Sequence, residues 1–239
     1  MPLVQRRPNL ALYLGGFLIL AMVIYGPIAQ LANYHHFADQ RTLLGIPHAG
    51  DVLSNLGFLI AALYGAYRMV AARRYDSAEA MFSGALLLTA IGSSCYHLAP
   101  DNARLIWDRL PIALACAALL AGGLRDAYPG VRLALPVLAV YGMLSVFWWS
   151  ATGDLRPYLL MQVAPLLLIP ALQWQYGAPT PKRTAFFAAV VLYVVAKMFE
   201  LADVAAFEAL HVMSGHTIKH VLAALAALIL VRQFAHEGA

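Results

Sequence analysis

Long apolar stretches alternate with short polar breaks along nearly the whole chain. Eight can be marked, at about 10–31, 52–72, 80–98, 105–124, 132–150, 156–175, 184–203 and 214–233. Each is near the ~20 residues a helix needs to cross a bilayer core. The pattern predicts an all-α polytopic membrane helix bundle of about eight transmembrane helices. No long polar linker separates them, so residues 1–239 form a single integral membrane domain. The fourth and eighth stretches begin with polar residues. Pro136 and Pro165 fall inside stretches, as prolines do in membrane helices.

Composition agrees. Of 239 residues, 62% are hydrophobic and 12% charged, against about 25% charged in soluble domains. Mean hydropathy is +0.71. The run that follows Arg6 and Arg7 is too long for a signal-peptide core and has no clear cleavage site, so it reads as a retained helix. Cys95 and Cys116 both lie in apolar stretches, which argues against a structural disulfide. The net charge of +4 is scattered over short loops. It serves topology rather than nucleic acid binding.

With eight alternating helices, Arg6, Arg7, Arg68, Arg73, Arg74, Arg125, Arg132, Lys182, Arg183 and Arg232 fall on one side. Arg41, Arg104 and Arg156 face the other. The positive-inside rule then places both termini in the cytoplasm. Short loops and termini suggest a bacterial inner membrane. The same alternation collects Asp51, His97, Asp108, Glu200, Asp203, His211, His216 and His220 toward the non-cytoplasmic end.

Ionisable residues in membrane segments are costly and point to a functional site. His216 and His220 are four apart, so they share a helix face and are spaced to grip one metal ion. His97 lies at the matching depth as a third ligand. Three imidazoles suit zinc, which in catalytic sites keeps a fourth position for water and lowers that water's pKa to about 7. Ser93, one turn before His97, could stabilise an oxyanion or could permit close helix packing. Asp108 is placed to move a proton, or else to pair with Arg104 or Arg109. Cys95 points to another helix face. Asp51 reads as an N-cap, with Ser54 and Asn55 bonding across helices. Lys197, Glu200 and Asp203 form a polar stripe that favours pairing with Lys197 or Lys219 over support of the histidines. His35, His36, Asp39 and His48 belong to the outer loop.

Together Ser93-Ser94-Cys95-Tyr96-His97, Asp108 and His216-Thr217-Ile218-Lys219-His220 resemble the alkaline ceramidase family. That family belongs to a superfamily of membrane hydrolases that includes adiponectin-receptor-like proteins. Asp51-Val52-Leu53-Ser54-Asn55 is similar to the ceramidases' Asn-Thr-x-Ser-Asn motif, with Asp51 replacing its asparagine. Phe199-Glu200-Leu201-Ala202-Asp203 resembles their acidic motif before the last helix. The match spans roughly 45–235. It implies a seven-helix core preceded here by one extra helix at about 10–31. It also implies zinc held by His97, His216 and His220, Asp108 as acid/base, and Ser93 as oxyanion stabiliser. The reaction implied is attack of zinc-bound water on a lipid amide drawn from the bilayer, such as ceramide, giving a sphingoid base and a fatty acid. The ceramidases also bind calcium through an acidic N-terminal segment. Here the loop from Asn33 to Gly50 offers only Asp39 as a carboxylate, which speaks against a calcium site.

Two other classes compete. One is a non-catalytic lipid-binding or receptor-type protein with a structural zinc. The other is a haem electron carrier, opposed by the crowding of His216 and His220 on one side of a haem.

Overall fold

In the computed structural model, which describes residues 9–236, each apolar run becomes a helix. The helices are α1 (Leu10–Tyr25), α2 (Ala49–Ser54), α3 (Leu56–Ala71), α4 (Ser77–Leu98) and α5 (Asn102–Ala127). They continue as α6 (Ala134–Thr152), α7 (Arg156–Tyr176), α8 (Thr180–Leu201), α9 (Asp203–Leu210) and α10 (Gly215–His236). Among the described residues there is no named strand, only two isolated bridges. Arg6 and Arg7 lie outside the described residues.

Seven segments are long and apolar enough to cross a membrane: α2 with α3, then α4, α5, α6, α7, α8 and α10. The first run is shorter than its sequence suggests. Helix α1 has 16 residues and stops before Gly26-Pro27, because a residue preceding proline is driven out of the helical region. At 1.5 Å per residue it reaches about 24 Å, short of a hydrocarbon core of about 30 Å. Position 184–203 also divides, with α8 ending at Leu201 and α9 turning away as a separate short helix.

Helices α3, α4, α5, α7, α8 and α10 form a ring in that order, closed most thinly between α7 and α8. Helix α6 packs outside on α5 and α7, and α1 outside on α7. Phe58, Phe82, Leu86, Ile169, Phe186 and Leu230 belong to the main core. A second cluster built on Tyr96, Leu105, Trp149, Tyr158 and Met161 fills one end. Large apolar side chains such as Leu63, Val70, Phe187 and Met198 face outward on several helices. A surface of that kind is an aggregation hazard in water and is at home against lipid. The chain is a membrane protein.

Side chains cap the starts of α4 and α5. Asp76 accepts from the amides of Ala78 and Glu79 at the head of α4, and Asp101 accepts from Arg104 at the head of α5. The long α1–α2 connection is drawn across the end where α4 finishes and α10 begins. Ile28 donates to Asp154 at 3.1 Å and accepts from Leu155 at 2.8 Å. Ala38 donates to Asp203 at 2.8 Å. Arg41 donates to the Val212 carbonyl at 2.8 Å.

Candidate metal centre

Three helix ends build the site. The last turns of α4 carry Ser93 and His97, the second turn of α5 carries Asp108, and the first turns of α10 carry His216 and His220. Close approach depends on two glycines. A Cβ at Gly92 would collide with the Trp107 carbonyl, so its absence lets α4 lie against the start of α5. A Cβ at Gly215 would collide with the Phe199 carbonyl, so its absence lets α10 begin against the end of α8.

The head of α10 is fixed through its amide groups. The Ser214 hydroxyl accepts from the Thr217 amide at 3.0 Å, and the Asp203 carboxylate accepts from the His216 amide at 2.7 Å. Two of the donors that a helix start leaves unpaired are thereby satisfied, and the carboxylate also suits the positive end of the helix dipole. Thr217 and Ser214 both donate to Asp51, at 2.7 and 3.2 Å, which locks α10 onto α2.

The three histidines meet. His97 is 1% exposed, His216 7% and His220 3%. Their ring centroids lie 4.8 Å apart for His97–His216, 5.0 Å for His97–His220 and 4.8 Å for His216–His220. One ligating nitrogen from each falls within 4.8 Å of the others. Neighbouring polar groups orient His220. Ser54 Oγ donates to the Asp51 carbonyl at 2.9 Å. The hydroxyl therefore accepts from His220 Nδ1, 2.8 Å away, and the Asp51 carbonyl lies 3.2 Å from the same nitrogen. A proton on Nδ1 leaves the Nε2 lone pair free to ligate. His97 Nδ1 is buried without any partner. An orphaned imidazole nitrogen beside two more rings is what a metal ion would satisfy, so the residues fit one. Lys219 Nζ stands 3.3 Å from His216 Nε2 and 2.9 Å from Glu200. The Glu200 carboxylate offsets the repulsion this ammonium would exert on a bound cation.

Ser93 and Asp108 are neighbours next to this cluster, where Gly92 brings α4 against Trp107 and Asp108. Both are buried, at 1% and 9% exposure. Asp108 does not form the ion pair with Arg104 or Arg109 that its position also allowed. Arg104 pairs with Asp101, and Arg109 lies over the Trp149 ring at 3.9 Å. A cavity of about 300 Å³ opens from this point. Its polar end is lined by Ser93, Asp108, Arg109, Lys219 and His220. It then runs between apolar walls that include Leu86, Leu119, Phe186 and Leu230. Leu230 lies ten residues along α10 from His220, a descent of about 15 Å.

Other expectations sort cleanly. Cys95 is exposed on the far face of α4, and both cysteines are free. Glu200 pairs with Lys197 at 2.5 Å and with Lys219, as the polar stripe suggested. Asp203 leaves that stripe to hold the His216 amide. Asp51 is not an N-cap. His48 holds that position of α2 with φ 46°, and Asp51 is buried inside the helix, tied to α10. Asn55 bonds back to the Asp51 carbonyl within its own segment rather than across helices. In the outer loop, Asp39 pairs with Arg41 at 2.7 Å. His35 bonds to Tyr96 and Asn102.

Phe37 and Arg109 join the site although the sequence pattern does not single them out. Phe37 reaches down from the α1–α2 connection and packs 4.6 Å from both His97 and His216, sealing the cluster from above. Nothing local marks it out, because a phenylalanine in a loop has no periodicity to betray its target. The chain matches no model of a known protein family, and no curated protein is detectably similar to it.

Proposed function

We propose that this protein is a membrane-embedded zinc-dependent hydrolase of the alkaline ceramidase type. It would cleave the amide bond of a lipid such as ceramide to a sphingoid base and a fatty acid. The observation that carries the reading is the continuity of one cavity from Ser93, Asp108 and His220 into an apolar channel. The polar end suits an amide and the channel suits an acyl chain.

His97, His216 and His220 would hold the metal, and three neutral imidazoles favour zinc. When bound, zinc supplies Lewis acidity and makes water a competent nucleophile at neutral pH. The residues of the chain do the rest. Ser93 Oγ donates a hydrogen bond to the amide oxygen as negative charge gathers on it. Asp108 takes the proton released from water and delivers it to the departing nitrogen, so that amide and water become acid and amine. The core around Phe37 keeps bulk water from the reacting groups. The thin α7–α8 contact offers the lipid a sideways route from the bilayer. Arg41, Arg104 and Arg156 are each neutralised by an aspartate at the histidine end. The larger number of Lys and Arg at the opposite end, among them Arg68, Arg73, Arg74, Arg125, Arg132, Lys182 and Arg183, supports an orientation with that end in the cytoplasm of a bacterial inner membrane and the site toward the other side.

The test combines metal analysis with turnover of N-acyl lipids on detergent-purified protein. Asp108→Asn is expected to lower turnover by about 10²–10⁴-fold with metal content unchanged. Full activity in that variant would remove Asp108 from the mechanism. Metal and lipid held in wild type with no turnover would instead identify a lipid-binding receptor-type protein.

A further inference from the structure

Arg109 follows Asp108 on α5 and is 3% exposed. Its guanidinium lies 3.9 Å from the Trp149 ring centre, 5.1 Å from that of Tyr34 and 5.3 Å from that of Tyr158. The aromatic rings satisfy its charge in part, but they cannot accept its in-plane N–H groups. Its Nε and Nη1 are buried with no hydrogen-bond partner. Asp108 acts on it only by attraction through space. A buried guanidinium in this condition is costly unless an acceptor arrives. Arg109 also lines the cavity that holds Ser93, Asp108 and His220, so an acceptor can arrive with a ligand.

A guanidinium fork matches two coplanar oxygens, as in a carboxylate. The position of the fork shows which part of a ligand brings them. Trp149 lies near the end of α6, Tyr158 near the start of α7, and Tyr34 in the α1–α2 connection, so the cage sits at the histidine end. The apolar channel leads the opposite way, toward Leu119 and Leu230. With an acyl chain in the channel and its carbonyl at the histidines, the group beyond the amide nitrogen faces Arg109.

Resting on the hydrolase reading, we infer that Arg109 is a headgroup-anchoring residue and that the preferred substrates are acyl amides whose leaving amine carries a carboxylate, as in an N-acyl amino acid. A neutral sphingoid headgroup leaves the fork unfilled.

The test compares binding of N-palmitoylglycine and N-palmitoylethanolamine, which share chain and amide and differ in a carboxylate against a hydroxymethyl group. Binding is measured by native mass spectrometry on the full-length protein, so it does not depend on turnover. The wild type is expected to favour the glycine conjugate by about tenfold or more, the worth of one charge-assisted hydrogen-bonded pair. The preference should vanish in Arg109→Gln and survive stripping of metal with a chelator. Equal binding of the two lipids by wild type overturns the assignment even if the variant fails to fold. So does a preference retained by folded Arg109→Gln, or one lost with the metal. Palmitate binding as tightly as N-palmitoylglycine would put the carboxylate on the acyl side and overturn the headgroup role. Absence of turnover with the preference intact would sink the hydrolase reading alone.

Discussion

Where α3, α5 and α7 finish, carboxylates meet cations one to one: Asp76 with Arg125 at 2.5 Å, Glu79 with Arg74 at 2.8 Å, and Asp126 with Lys182 at 2.7 Å. At the opposite end the loop charges are matched in the same way, but a layer beneath them is not. There His97 Nδ1, Asp51 Oδ2 and two nitrogens of Arg109 are buried without partners. Arg74 Nε is also buried unpartnered at the first end, yet that side chain already pairs with Glu79. Each unsatisfied buried polar atom costs about 1–3 kcal/mol. A fold that satisfies its charges at one end and leaves buried polar groups without partners at the other, one of them lining a cavity, keeps the second end for something that binds.

This contrast can be broken most severely at the histidines. His216→Ala with His220→Ala should take zinc from about one per chain to none by mass spectrometry of the metal, and abolish turnover. Metal retained at wild-type content would mean that it sits elsewhere. A finer probe acts through orientation. Ser54→Ala removes the acceptor at His220 Nδ1 and should weaken metal affinity about 10–100-fold, as loss of an orienting partner does. Chelator competition would read that change, and an unaltered affinity would show that the Asp51 carbonyl suffices.

The opposite end should respond little. Arg125→Ala breaks an ion pair that is partly exposed and should cost about 0–1 kcal/mol of stability. Metal content and turnover should be unchanged, and a loss of metal there would erase the distinction between the ends.

Acid should sharpen the contrast with the smallest effect. Hydrogen bonds from Arg41 and Arg156 hold Asp39 and Asp154 below the usual carboxylate range. A lowered folded-state pKa gives stability that is complete above the ordinary value of about 3.9 and fades as pH falls through the lowered one. The α1–α2 connection, which both carboxylates help fasten, should therefore stay protected from hydrogen exchange from pH 8 to 5 and loosen only below about pH 4. Loosening near pH 6 would point to a histidine instead.

Much of this architecture was legible in the chain because lipid imposes it residue by residue. An apolar run of sufficient length has to become a helix, since no water is present to satisfy its backbone. The i, i+4 histidines had to share a face. Ser93 and His97 followed by the same arithmetic, and alternation of the helices put all five site residues at one end. Asp51 went astray because an aspartate near a helix start looks the same whether it caps its own helix or bonds to another. Arg109 went astray because its neighbour Asp108 offered a ready partner, and only three aromatic rings from distant elements show where the guanidinium goes.

Sequence by itself therefore determined the helices, their approximate ends and the candidate ligands, all of which depend on local spacing and on transfer of side chains into lipid. Tertiary structure decided which groups were left without partners. It turned Asp203 and Ser214 into supports for the head of α10, laid Phe37 over the histidines, and left a guanidinium with two unpartnered nitrogens in the cavity wall. Those outcomes rest on contacts between residues far apart in the chain, where helix packing and the closeness permitted by Gly92 and Gly215 set the distances.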